Sequence, residues 1–266
     1  MYKFGFIGAG NMGSALAKGI AKKAGGENIA LCDMNTEKAN ALAAEIGAKR
    51  TDINDIAQNS EYIVLAVKPQ SLEKMLGGIS GILRSRDRFV FVTMAAGTPI
   101  ARILAFAGVD APVIRIMPNV PCAVGAGMIL CAGNEAVTES ELNAFVSALE
   151  NCGRIDIIDE KNIDAYSVVT GCGPAYVYLM LEALADGMVE CGVPRDKAYV
   201  YAAQMTEGSA KLMLETGRMP ADLKDSVCSP GGTTIEGVRA LEKGGFRSTL
   251  IEATRASYNR TLELTK

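Results

Sequence analysis

Gly8-Ala9-Gly10-Asn11-Met12-Gly13 is the stretch on which the reading of the fold turns. It follows directly on the short apolar run Tyr2 to Ile7 and leads into an amphipathic stretch from Met12 to Lys23. A G-x-G-x-x-G pattern is weak alone, but between a strand and a helix it marks a dinucleotide-binding turn. Gly8 permits the tight turn, Gly10 lets the backbone approach a pyrophosphate, and Gly13 lets helix and strand pack closely. The helix that opens there, through Asn11 and Met12, offers free N–H groups and a positive dipole end to the phosphates.

Outward from that turn, short apolar runs alternate with amphipathic ones. Ile29 to Cys32, Tyr62 to Val67, Arg88 to Val92 and Val113 to Met117 read as strands, each bounded by Gly, Asp, Asn or Pro. Glu37 to Ile46, Ser71 to Leu83 and Pro99 to Phe106 read as the helices between them, and Gly127 to Cys131 and Arg154 to Ile158 as strands flanking a helix from Glu139 to Leu149. Continuous apolar strands alternating with helices predict an α/β fold, an N-terminal doubly wound Rossmann domain over residues 1–159.

From residue 160 to 266 strand signals cease. Asn162 to Val169, Pro174 to Cys191, Pro194 to Glu215, Pro220 to Val227, Thr233 to Lys243 and Phe246 to Leu264 read as helices, several opened by a proline at or near the first helical position. An all-α second domain is therefore expected. Tyr176 to Met188 is apolar on most of its circumference, while Glu182, Asp186 and Glu190 share one stripe. Such a helix needs burial on nearly every other side, and its carboxylates make it a poor membrane span, so a second copy of the chain is the expected partner.

Composition removes several classes of function. The net charge of −3, from 27 basic and 30 acidic residues, gives no field that would gather nucleic acid or an anionic membrane. The opening Met1-Tyr2-Lys3-Phe4-Gly5 lacks the order of a signal peptide, so a cytoplasmic protein is expected. Seven scattered cysteines without a C-x-x-C pair suggest neither a disulfide framework nor a metal site. There is no histidine, which excludes every Ser-His or Cys-His nucleophile.

The second strand is followed by Asp33, the place for an acid that binds the adenosine ribose. An acid there favours NADH, and no arginine stands nearby for the 2′-phosphate of NADPH, although Asn35, Thr36 and Lys38 are able to hydrogen-bond one. Either cofactor is left open. Ala66-Val67-Lys68-Pro69 and Met94-Ala95-Ala96-Gly97 end the next two strands at the carboxyl edge, where the ligand crevice belongs. Lys68 reads equally as a solvated lysine or as a group at that crevice. A second glycine-rich element, Ser229-Pro230-Gly231-Gly232-Thr233-Thr234, opens a helix with hydroxyls and suits a small carboxylate, or is simply a turn with a threonine cap.

These motifs together resemble the pyrroline-5-carboxylate reductase family. Beyond the two glycine loops and Ala66 to Pro69, the likeness is carried by Met117-Pro118-Asn119, Gly171-Cys172-Gly173-Pro174-Ala175-Tyr176, Leu223 to Cys228 and Gly244-Gly245-Phe246-Arg247-Ser248. It runs over essentially the whole chain. The resemblance implies a Rossmann domain followed by a helical dimerisation domain, NADH or NADPH as cofactor, and 1-pyrroline-5-carboxylate and L-proline as substrate and product. It further implies that Ser229, Gly231, Gly232, Thr233 and Thr234 hold the substrate, with Thr234 beside the ring nitrogen, Glu160 near the substrate and Lys68 facing the nicotinamide. Asp33-Met34 departs from the Asn-Arg common in the family, and Thr170-Gly171-Cys172-Gly173-Pro174 departs from Ser-Gly-Ser-Gly-Pro, a change expected to leave a turn intact.

The absence of histidine agrees with reduction of C=N for an independent reason. Reducing a carbonyl builds an alkoxide and normally needs a proton donor, whereas an iminium already carries its proton. Two other readings stand beside this one. A β-hydroxyacid dehydrogenase would place a catalytic lysine on the first long helix of its second domain, and Pro174 to Cys191 has none. A non-catalytic dinucleotide sensor would fit the first glycine turn but leave the Ser229 to Thr234 loop without a task.

Overall fold

Strand β1 (Tyr2–Ile7) lies inside an eight-stranded sheet with β2 (Ile29–Cys32), β3 (Lys49–Arg50), β4 (Ser60–Leu65), β5 (Val90–Thr93), β6 (Val113–Met117), β7 (Gly127–Gly133) and β8 (Gly153–Ile157). This is a computed structural model, and it describes residues 1–264. The strand order is β3-β2-β1-β4-β5-β6-β7-β8, so the chain reverses its direction of winding between β1 and β4. All pairings are parallel except β6 with β7. The expected doubly wound domain is present.

The inner strands are buried on both faces, as a parallel sheet requires, while the edge strands β3 and β8 are largely exposed. On one face Phe4 and Phe6 of β1 pack in a core shared with α1 (Asn11–Ala24), α2 (Thr36–Ile46) and α6 (Glu139–Ala148). Phe4, Tyr62 and Phe145 form a ring cluster there, with Tyr62 centroids 5.2 Å from Phe4 and 5.7 Å from Phe145. On the other face Ile7, Ile63, Leu65 and Phe91 meet α3 (Ile53–Asn59), α4 (Pro69–Arg84) and α5 (Ile100–Ala107). Each such side chain, fully buried, contributes about 1.5–3 kcal/mol.

Two elements have no counterpart in the sequence reading. β3 has two residues and α3 seven, too few for either periodicity to register. A correction of more consequence concerns Thr170 to Pro174. The sequence predicts a break there, but α7 (Glu160–Glu190) runs through it as one helix with Pro174 inside. It continues because a donor from outside the helix, the Asn119 amide, serves the Thr170 carbonyl that Pro174 leaves without a partner. The merged helix therefore includes a lysine, Lys161, in its first turn, exposed and paired with Asp159 at 3.1 Å.

The described residues fall into two units, one of Met1 to Cys172 with Tyr258 to Leu264, the other of Gly173 to Ser257. The second unit is helical, with the rest of α7, α8 (Arg195–Thr216), α9 (Pro220–Ser226), α10 (Thr233–Lys243) and most of α11 (Phe246–Leu264). Within it, Tyr176 of α7 donates its hydroxyl to the Ala253 carbonyl at 3.3 Å and lies 2.5 Å from Ser257 Oγ on α11. Packing is sparse: α8 buries only Ala198 and Ala202, and α9, α10 and α11 bury no residue. By length and composition α7 is apolar enough to cross a bilayer, although the sequence marks its carboxylates as adverse to that.

Candidate active site

The carboxyl ends of β1, β2, β4 and β5 carry the residues expected at a nucleotide site. Gly8 follows β1 with φ of 110°, a conformation that L side chains rarely adopt. A Cβ on Gly8 would lie 2.4 Å from the Ala66 carbonyl oxygen, and one on Gly13 would lie 2.6 Å from the Gly8 carbonyl oxygen. These two glycines are demanded by packing within the protein. Gly10 is different, because a Cβ there would meet nothing within 4 Å. Gly10 is also the N-cap of α1, with no side chain capping the helix. The exposed Gly10 and Asn11, with Met12 half-buried beside them, thus open free amides toward empty space at the switch point, which is the fit a pyrophosphate requires.

Around this opening, Ala66 N–H donates to the Ile7 carbonyl at 2.9 Å, so Ala66 and Val67 lie just past the end of β4. Lys68 is exposed and precedes α4, whose first residue is Pro69. Met94 and Ala95 follow β5, with Ala95 buried and Ala96 exposed. Asp33 is half-buried, its Oδ2 accepting from Ala9 N–H at 2.6 Å and its Oδ1 from Asn35 N–H at 2.7 Å. Asn35 caps α2, its side chain accepting from Lys38 N–H at 3.1 Å. Burial, and then the Asp33 charge, push the neighbouring Cys32 thiol up to about 12, which leaves it inert.

Glu160 stands at the same edge. Its Oε1 accepts from Ile100 N–H at 2.7 Å, capping α5, and lies 3.4 Å from Arg115 Nη1. Arg115, only 2% exposed, also reaches Asp164 at 2.6 Å. One guanidinium thus meets two carboxylates of α7, and through Glu160 fixes the segment that follows Met94 to Gly97. Neither Arg115 nor Asp164 was expected as part of the site. The available signal was a charge in the middle of the apolar run Val113-Ile114-Arg115-Ile116-Met117. Asn119, named only within its motif, lies nearby in sequence and accepts from Met128 N–H at 3.0 Å.

In the helical unit, Ser229 to Thr234 forms a second uncapped helix start. Gly231 has φ of 68°, and Gly232, the N-cap of α10, has no side chain capping the helix. A Cβ on Gly232 would lie 2.3 Å from Ser229 Oγ, so only glycine lets the serine fold over this turn. Thr233 and Thr234, both exposed, begin α10 and place hydroxyls beside its free amides. That combination suits a carboxylate and an adjacent hydrogen-bonding nitrogen. Among the described residues no group of three or more Cys, Asp or Glu is placed to hold a metal.

Fold and cradle together define a dinucleotide-binding α/β protein that carries a separate all-helical unit. Residues 3–97 match a model described as NADP oxidoreductase coenzyme F420-dependent, and residues 160–264 match one described as pyrroline-5-carboxylate reductase dimerisation. The chain is 40% identical over 269 aligned positions to pyrroline-5-carboxylate reductase of Escherichia coli, covering 99% of this chain and 98% of that one. A solved pyrroline-5-carboxylate reductase from Coxiella burnetii superposes with a TM-score of 0.91 at 30% identity, over 100% and 99% of the two chains. The Plasmodium falciparum enzyme, solved with NADP bound, gives 0.86 at 31% identity, over 100% and 98%. The chain belongs to the pyrroline-5-carboxylate reductase family.

Proposed function

We propose that this chain reduces the C=N bond of 1-pyrroline-5-carboxylate to give L-proline, with NADH or NADPH as hydride donor, in the cytoplasm. The observation that carries the reading is the start of α10, where Gly231 and Gly232 leave amides uncapped beside the Thr233 and Thr234 hydroxyls. The bound dinucleotide supplies the hydride. The hydride adds to the ring carbon of the iminium, the C=N π electrons pass to nitrogen, and the nitrogen keeps the proton it already carries. No imidazole is needed for this, and the chain has none.

The protein's part is binding and orientation. Ser229, Gly231, Gly232 and Thr233 hold the substrate carboxylate, and Thr234 hydrogen-bonds the nitrogen. Glu160 keeps negative charge near the cationic ring, and Lys68 faces the nicotinamide. Gly8, Gly10, Asn11, Met12, Gly13, Ala66, Val67, Pro69, Met94, Ala95 and Ala96 line the cofactor crevice, with Asp33 and Asn35 on the adenosine side.

A homodimer formed through the helical unit completes the proposal. Support comes from the lack of any buried residue on α9, α10 and α11, and from apolar side chains such as Tyr201 and Leu214 that stand more than half exposed on α8. Sedimentation at micromolar concentration should give twice the chain mass; a stable monomer would remove the dimer.

The activity is tested by loss of nicotinamide absorbance with 1-pyrroline-5-carboxylate, run beside a hydroxyacid in the oxidising direction. Turnover with the imine and none with the hydroxyacid is expected. Tight dinucleotide binding without turnover of either would favour a sensor.

A further inference from the structure

We propose that Asp33 is a positioning residue that clamps the glycine turn, and that it serves NADH and NADPH alike instead of selecting between them. The inference rests on one part of the proposed function, the reading of the first glycine turn as a dinucleotide site. An acid after the second strand ordinarily reads the ribose, accepting from its free hydroxyl and repelling a 2′-phosphate. Here both carboxylate oxygens turn toward the protein. Oδ2 accepts from Ala9 N–H at 2.6 Å and Oδ1 from Asn35 N–H at 2.7 Å, short distances typical of charge-assisted bonds.

These bonds fall where they constrain most. Ala9 stands between Gly8 and Gly10, neither of which has a Cβ to limit its backbone, so the turn does not hold its own shape. Ser14 holds its carbonyl side, with Oγ donating to the Ala9 carbonyl at 3.0 Å and N–H to the Gly10 carbonyl at 2.8 Å, while its amide side is held by Gly8 N–H, which donates to the Cys32 carbonyl at 2.8 Å, and by Ala9 N–H on Asp33. Asn35 is the N-cap of α2, so one carboxylate joins the starts of α1 and α2. Its charge is balanced there by two N–H groups and by the positive ends of two helices. What reaches a 2′-substituent is correspondingly small, and what the dinucleotide gains is a turn already shaped for its pyrophosphate.

The test is dissociation constants for NADH and for NADPH, by fluorescence titration, on wild type, Asp33→Asn and Asp33→Ser. Losing a charge-assisted bond to the turn should weaken both dinucleotides about tenfold in either variant. The ratio of the two constants should stay within about threefold of wild type. Exchange of the Ala9 amide, followed by NMR, should accelerate in both variants, which a ribose-reading acid does not require. If the serine variant fails to fold, the asparagine variant, nearly isosteric, carries the comparison. A ratio that shifts beyond threefold toward NADPH, or affinities left unchanged for both, overturns the clamp. A wild type that binds both dinucleotides but leaves 1-pyrroline-5-carboxylate unreduced removes the reductase reading without touching this one.

Discussion

Asn119 donates its side-chain amide to the carbonyl of Thr170 at 2.9 Å, the carbonyl that would have been served by residue 174 had it not been proline. The same side chain accepts from Met128 N–H at 3.0 Å. A single amide thus pins the connection after β6 to both β7 and α7, and it keeps α7 continuous across a sequence that reads as a break.

Replacing Asn119 by Asp should turn a donor into a second acceptor against the Thr170 carbonyl and cost about 2–3 kcal/mol. Pro174→Ala restores an N–H within the helix, so Asn119→Ala should cost less in that background than in wild type. Urea denaturation of the four chains of this cycle measures the coupling, and strict additivity would mean that the two sites are independent.

Arg115→Met should be among the most damaging single changes. It leaves Glu160 and Asp164, which are 31% and 24% exposed, without the cation both contact, and losing the charge-assisted bonds of this part-buried cluster costs about 1.5–3 kcal/mol. Arg115→Lys should fall between, because an ammonium lacks the fork that reaches both carboxylates. Thermal unfolding midpoints rank the three chains, and a methionine variant as stable as wild type would show the ion pairs to be dispensable.

Acid stability should depend on Glu141. Hydrogen bonds from Arg88, and further ones from Thr138, hold its carboxyl at about 2 against an ordinary 4.5. A depressed carboxylate stabilises the fold above the unfolded value, and that stabilisation is lost as pH falls from about 4.5 through about 2. Glu141→Gln, which also weakens the capping box of α6, should cost about 1–2 kcal/mol at neutral pH. The difference in urea midpoint between wild type and variant should narrow toward pH 2. A gap that stays constant over that range would remove the ionised carboxylate as its cause.

Thr234→Ala should lower kcat/KM for the imine by about 10–100-fold while leaving dinucleotide dissociation constants unchanged. Steady-state kinetics with both cofactors and binding titration check the two halves separately. Equal loss of both, or of neither, would take Thr234 out of the substrate site.

Much of this protein was legible along the chain because its elements are local. Strand β1, the glycine turn and the start of α1 follow within a few residues of one another, so periodicity and glycine spacing locate the nucleotide cradle directly. The helical character of the C-terminal part and the hydroxyl-bearing glycine loop were legible for the same reason. Arg115, Asp164, Asn119 and the bond from Ala9 to Asp33 were not, since each depends on a partner distant in sequence.

Local pattern, then, determined by itself the architecture, the place of the cofactor turn and the family to which the chain is similar. Short-range spacing of glycines and apolar residues specifies those. The tertiary structure alone decided that Gly8 and Gly13 are filled by protein while Gly10 faces open space, because only packing distinguishes three identical residues. It likewise decided that α7 survives Pro174 and that the Asp33 oxygens are taken by backbone N–H groups. A hydrogen-bond partner depends on where the folded chain brings a donor, and no spacing along the sequence records that.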